Sequence, residues 1–213
     1  MSFKTLNDLY FSQSALSIFK NCRRRFRYRY LDGLYWPAEW GMNEEVKNDL
    51  RQGRQFHLLA ERYYSKTMGE TVLSSKQPLQ SWINRLKSFA RAENVVSAEQ
   101  ELRYQKDNLK LLAKYDLLKY NKSLKKFIIF DWKTDKKSLY EKDIENSMQS
   151  RFYLYLLFET GYDYFAAEYE LENMPDLIYW NPRYPKQKIR IEYNIDEFKK
   201  DKSYFKKLIN NIN

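Results

Sequence analysis

Cysteine, histidine, glycine and proline are all scarce. There is one cysteine, Cys22, one histidine, His57, and five each of glycine and proline in 213 residues. A single thiol excludes a disulfide framework within the chain and any metal cluster held by cysteines alone. No Gly/Ser-rich linker divides the sequence, and its 43% of apolar residues can fill one sizeable core, so a single domain is expected. No apolar run approaches a membrane span and no signal-peptide core opens the chain, so a cytoplasmic protein without a membrane partner is expected.

Positive charge is plentiful. Lys and Arg number 38 against 28 Asp and Glu, a net charge of +10, which suits a polyanionic partner better than an acidic small molecule. The densest cationic stretch follows Ser14, which can cap a helix in which Leu16, Phe19, Cys22, Phe26 and Tyr30 recur at three- and four-residue steps, with Gly33 as a stop. Between them lie Arg23, Arg24, Arg25, Arg27 and Arg29, interleaved with Tyr28. Guanidinium forks suit phosphates and aromatic rings stack on bases, so this face is a candidate nucleic-acid surface. A merely solvated helix face is the competing reading.

The chemistry is expected around Ile128-Ile129-Phe130-Asp131-Trp132-Lys133-Thr134. Read as a strand, its period of two sends Asp131 and Lys133 to the same side. An ordinary strand-end ion pair would look the same and contribute only about 0 to 1 kcal/mol.

Upstream, a helix is expected from Asn43 to Ser65, with Val46, Leu50, Gly53, His57 and Tyr64 near one face and Glu61 one turn past His57. Gly53 removes bulk beside His57, which suggests that something needs the room. Pro78 opens a third helix whose stripe is Leu79, Trp82, Ile83, Leu86, Phe89 and Ala90. Three strands then follow, Val96–Lys106, Leu109–Tyr120 and Lys126–Lys133, separated by Asp107-Asn108 and Asn121-Lys122-Ser123, as an antiparallel meander. Asp116 interrupts the second and can lie beside Asp131; Glu99 and Glu101 lie on the first. A helix over Asp143–Thr160, stopped by Gly161, puts Gln149 and Tyr153 one turn apart. Strands are expected at Tyr164–Leu171 and at Leu177–Trp180 with Lys188–Tyr193, and an amphipathic helix over 196–212 closes the chain.

Gly53-x-x-x-His57-x-x-x-Glu61, Asp116, Asp131-x-Lys133-Thr134 and Gln149-x-x-x-Tyr153, in this order, resemble the RecB-like branch of the PD-(D/E)XK nuclease superfamily, which includes the CRISPR-associated exonucleases. The Ser12-x-Ser14-x-Leu16 region with Cys22, Arg25, Phe26 and Tyr28 is similar to the start of those proteins. The resemblance implies a single α/β domain over 1–213, with a mixed central sheet flanked by helices and a restriction-endonuclease-like core: a helical part over 1–95, the catalytic sheet over 96–193 and a C-terminal helix. It places the site at the sheet edge.

It also implies a metal-dependent nuclease. Asp116, Asp131, the Trp132 carbonyl and His57 would hold Mg²⁺ or Mn²⁺, which suit hard oxygen and imidazole donors. Lys133 would orient or deprotonate the attacking water. Gln149 and Tyr153 would position water, Lys133 or the nucleic acid; Glu61 would support His57 or cap the site, with Thr134 alongside. Relatives that carry an iron-sulfur cluster hold it with four cysteines, of which only Cys22 is matched, so no cluster is expected and Cys22 reads as a core residue. Ala113 stands where the family often has glycine. The expected partner is DNA, as single strands or duplex ends, in repair, recombination or defence processing. An inert binding or assembly subunit of the same fold is the alternative, and a hydrolase of small phosphoesters fits the arginines less well.

Overall fold

The fold is a five-stranded mixed sheet with helices on both faces. The computed structural model describes residues 5–34, 40–67, 78–106 and 109–212. The strands are β1 (Val95–Lys106), β2 (Leu109–Asn121), β3 (Lys126–Trp132), β4 (Asp176–Trp180) and β5 (Lys188–Glu192), in the order β1-β2-β3-β4-β5. β1, β2 and β3 form the expected antiparallel meander. β4 runs parallel to β3, and β5 antiparallel to β4. A parallel pair needs a crossover, and the helices between β3 and β4 supply it. The Asp107-Asn108 turn lies outside the described residues.

β3 is central and buried on both faces, so its alternation feeds two cores. Phe127 and Ile129 join Leu16, Phe152, Tyr179 and Phe205 on one face, whereas Phe130 and Trp132 join Phe56, Ile83, Leu86 and Trp180 on the other. The first layer contains α1 (Gln13–Asn21), α6 (Met148–Leu156) and α8 (Ile195–Asn210); the second contains α3 (Glu44–Tyr64) and α4 (Leu79–Phe89). Each fully buried large side chain contributes roughly 1.5–3 kcal/mol, enough together to carry a few buried charges.

Helix ends follow local chemistry. Asn43 Oδ1 accepts from the Val46 amide at 2.9 Å to start α3. The first helix is capped by Ser12 and not by Ser14: Ser12 Oγ accepts from the Ala15 amide at 3.2 Å. It also does not run through to Gly33. Cys22 is extended (φ −160°, ψ 102°) and divides α1 from α2 (Arg23–Phe26), which continues as a π turn over Arg27–Leu31. Cys22 is exposed, contrary to the core role expected for it, because its Sγ accepts from the Arg25 amide at 3.4 Å as a cap.

The crossover also differs from expectation. It starts as α5 (Glu141–Glu145), breaks where Ser147 Oγ caps α6, and passes through Gly161 in helical conformation (φ −69°) into α7 (Tyr162–Phe165). Gly161 is therefore no stop; a Cβ there would meet Leu157 Cδ1 at 2.5 Å, so close packing is its role. No strand forms over Tyr164–Leu171. Tyr162, Phe165 and Tyr169, spaced by three and four, all set their rings on Phe127, and that helical spacing outweighs the β propensity of the aromatics.

Candidate active site

Asp131 sits one residue from the end of the central strand, so the site lies mid-sheet and not at an edge strand. The period of two holds: Lys133 Nζ is 2.5 Å from Asp131 Oδ1. Gln149, from the first turn of α6, bridges them. Its Nε2 donates to Asp131 Oδ2 at 2.5 Å and its Oε1 accepts from Lys133 Nζ at 2.8 Å. The Lys133 ammonium also stands 5.0 Å above the Tyr179 ring, a favourable cation–π position. A side-chain amide that donates to the acid and accepts from the base fixes both in one geometry.

The second half of the site is built by β2, α3 and β1. Asp116 Oδ2 accepts from the Trp132 amide at 2.6 Å, and Asp116 Oδ1 is 3.1 Å from His57 Nδ1. His57, Glu99 and Asp116 each offer a ligand atom, all within 4.8 Å of one another. Gly53 lies against the loop after β3, where a Cβ would stand 2.7 Å from Thr134 Oγ1. The room suggested by the glycine is room for Thr134, which lets α3 bring His57 down onto the sheet.

Electrostatics separates the two halves. Asp131 is 3% exposed. Desolvation pushes its carboxyl up to about 6, opposed by Lys133 and reinforced by the charge of Asp116. Its Oδ1 has no hydrogen-bond partner; only the non-directional ion pair with Lys133 reaches it. Burial alone would lower His57, but the hydrogen bond to Asp116 and the charges of Asp116, Asp131 and Glu99 outweigh it and hold the imidazole above its ordinary value. Tyr153 is held well above the phenol range, by burial first and then by Asp131 and Asp116. It packs edge-on against Tyr115 at 5.1 Å.

The structure thus brings His57, Asp116, Asp131, Lys133, Gln149 and Tyr153 to one place. Trp132 contributes its amide to Asp116 there. Glu61 lines the adjoining cleft of about 980 Å³ together with His57, Glu99 and Thr134. Arg23, Arg24, Arg25, Arg27 and Tyr28 do not line that cleft. They form their own surface, in which Arg23 covers Phe19 at 5.3 Å and Arg24 Nε donates to Tyr28 Oη at 2.8 Å.

Sequence reasoning gave Glu99 no role. The signal available was register, since the pairs Ala98–Leu117 and Gln100–Tyr115 bracket Glu99 opposite Asp116. Nothing in the strand pattern marks its left-handed backbone, φ +52°.

The donor set fits a divalent cation. One imidazole and carboxylates, one of them with a buried oxygen that no hydrogen bond reaches, are the donors that Mg²⁺ and Mn²⁺ accept, and like-charged carboxylates this close favour added positive charge.

Comparisons with known proteins give a family and a fold. The family model of the PD-(D/E)XK nuclease superfamily matches residues 10–213. Among solved structures, a candidate exonuclease from Eubacterium rectale superposes with a TM-score of 0.55 at 11% identity, covering 100% of this chain and 85% of that one. No curated protein matches the sequence.

Proposed function

Because the chain belongs to the PD-(D/E)XK nuclease superfamily, we propose that it is a divalent-metal-dependent deoxyribonuclease of the RecB-like kind, an exonuclease working from single-stranded or duplex DNA ends. The observation that carries the reading is the closed network of Asp131, Lys133 and Gln149 beside Asp116 and His57. The choice of DNA rests on the likeness of the motif order to the RecB-like branch and on the net charge of +10. The structural neighbour described as an exonuclease supports the mode of attack.

Hydrolysis adds water at phosphorus and breaks one P–O ester bond, so the site must take a proton from the water and relieve charge on the phosphate and leaving oxygens. A bound cation would supply Lewis acidity and a more acidic water. Asp116, Asp131 and His57 would hold it. Lys133, fixed by Gln149, either donates to an oxygen that gains negative charge or, once Asp131 is engaged elsewhere, accepts the proton of the water. Tyr153 stays protonated, so at neutral pH it can serve only as a hydrogen-bond donor or packing group. The arginine surface of α2 would hold the DNA backbone away from the reacting bond.

The test is incubation of pure protein with end-labelled single- and double-stranded DNA under Mg²⁺, Mn²⁺ or EDTA. Stepwise loss of end label that EDTA stops is expected. DNA left intact under both metals would overturn the enzyme reading in favour of a binding subunit. Replacing Arg23, Arg24 and Arg27 by alanine should flatten the salt dependence of binding by about one unit of log–log slope for each phosphate no longer neutralised; an unchanged slope moves the DNA elsewhere.

A further inference from the structure

We propose that Glu99 is a ligand of the cation, completing a ligand set with His57 and Asp116. The proposal deepens the nuclease reading and shares with it the need for a metal. Four observations carry it.

The first is position. A Glu99 carboxylate oxygen lies within 4.8 Å of both the His57 and Asp116 ligand atoms. The second is backbone. Glu99 is a side-chain-bearing residue at φ +52° in the middle of a twelve-residue strand, where glycine would sit without strain. The kink has a visible effect on the sheet. Leu102 and its partner Ala113 face the core containing α6, whereas Ala98 and its partner Leu117 face the core containing α4. The alternation of both strands slips between these pairs, at Glu99 and Asp116. That slip takes the two acids off the packed faces: Glu99 lines the cleft, and Asp116 faces His57 and the Trp132 amide.

The third is charge. Lys114, also on β2, places its Nζ 2.6 Å from Glu99 Oε2. The Lys114 side chain is 57% exposed and the Glu99 side chain 16%, so the lysine caps the outer oxygen from solvent. An acidic pair facing an imidazole is thereby partly neutralised while leaving Glu99 a second oxygen. The fourth is independent of Glu99: the buried Asp131 Oδ1 has no hydrogen-bond partner and meets only the Lys133 ammonium, while the charge of Asp116 stands against it.

Titration calorimetry with Mn²⁺ on the full chain tests this, without reliance on cleavage. Glu99→Gln and Glu99→Gly should each weaken Mn²⁺ by about tenfold or more, since a charged oxygen ligand is removed. Glu99→Gly should also raise the melting temperature of the EDTA-treated protein, because glycine relieves the left-handed strain. Lys114→Ala should bind Mn²⁺ as well as or better than the wild type, by the sign of the Coulomb interaction. If Glu99→Gln binds within twofold of the wild type while Asp131→Asn loses the metal, Glu99 is no ligand and the nuclease reading stands. If the wild type takes up no Mn²⁺, both fall together.

Discussion

Two buried aspartates sit three residues apart in register on the same pair of strands and meet opposite fates. Asp176 on β4 pairs with Ile128 of β3 and is 1% exposed. It has cations on both oxygens: Lys126 at 2.8 Å on Oδ1 and Arg190 at 2.5 Å on Oδ2. Asp131, 3% exposed, has one lysine, one amide and a second carboxylate, Asp116, whose charge repels it. Full compensation makes Asp176 a strut between strands. Under-compensation leaves Asp131 short of positive charge, which a cation can provide. A buried ion pair by itself therefore says little about function; the balance of charge around it says more.

Substituting each aspartate in turn tests the contrast most strongly. Asp131→Asn should abolish cleavage and Mn²⁺ uptake while leaving the protein folded, whereas Asp176→Asn should unfold it more easily by roughly 3 kcal/mol. That is the low end for removing one partner of a buried pair, because Arg190 is partly exposed. Chemical denaturation beside a cleavage assay reads both; equal destabilisation by the two changes would erase the distinction. Lys133→Ala should also abolish cleavage, yet Mn²⁺ affinity should hold or rise, since a positive charge beside the metal has gone. Cleavage at the wild-type rate by that variant would remove Lys133 from the chemistry.

A pH series sharpens the same contrast. The Asp131 carboxyl is raised in the folded protein from 3.8 to about 6, so the fold binds a proton that the unfolded chain releases. In EDTA, stability should therefore fall as pH rises from about 4 to 6, by on the order of 2–3 kcal/mol, and stay lower above that. Asp131→Asn should remove this component. A variant whose profile matches the wild type would show that the burial of Asp131 costs nothing.

The smallest effect is expected at Gly53. Alanine there gains about 1 kcal/mol of helix propensity but stands 2.7 Å from Thr134 Oγ1. Net stability should change little while cleavage falls several-fold, because displacing Thr134 disturbs its neighbour Lys133. Thr134→Ala in the same chain should restore the rate, and failure of that rescue would place the role of Gly53 elsewhere.

Much of the architecture is legible as period and punctuation. The alternation of β3, the Asn43 cap of α3 and the apolar stripe of α4 are local patterns, and local patterns survive folding. The crossover was harder to read. Aromatics such as Tyr162, Phe165 and Tyr169 serve strand or helix equally well, and their common packing against Phe127 decided for the short helix α7 followed by a turn. Cys22 looked apolar by spacing, yet its sulfur was more useful as a cap at the surface.

The sequence by itself determined that His57, Asp116, Asp131, Lys133 and Gln149 stand on elements that can converge, because spacing along a helix or strand dictates which side chains share a face. Only the tertiary structure decided what surrounds them. The burial of Asp131 with one oxygen outside any hydrogen bond depends on atoms from β2, β3 and α6 meeting, and the turn of Glu99 towards Asp116 depends on a left-handed residue and a slip shared by two strands. Burial and charge balance are sums over neighbours distant in the chain, so no local pattern contains them.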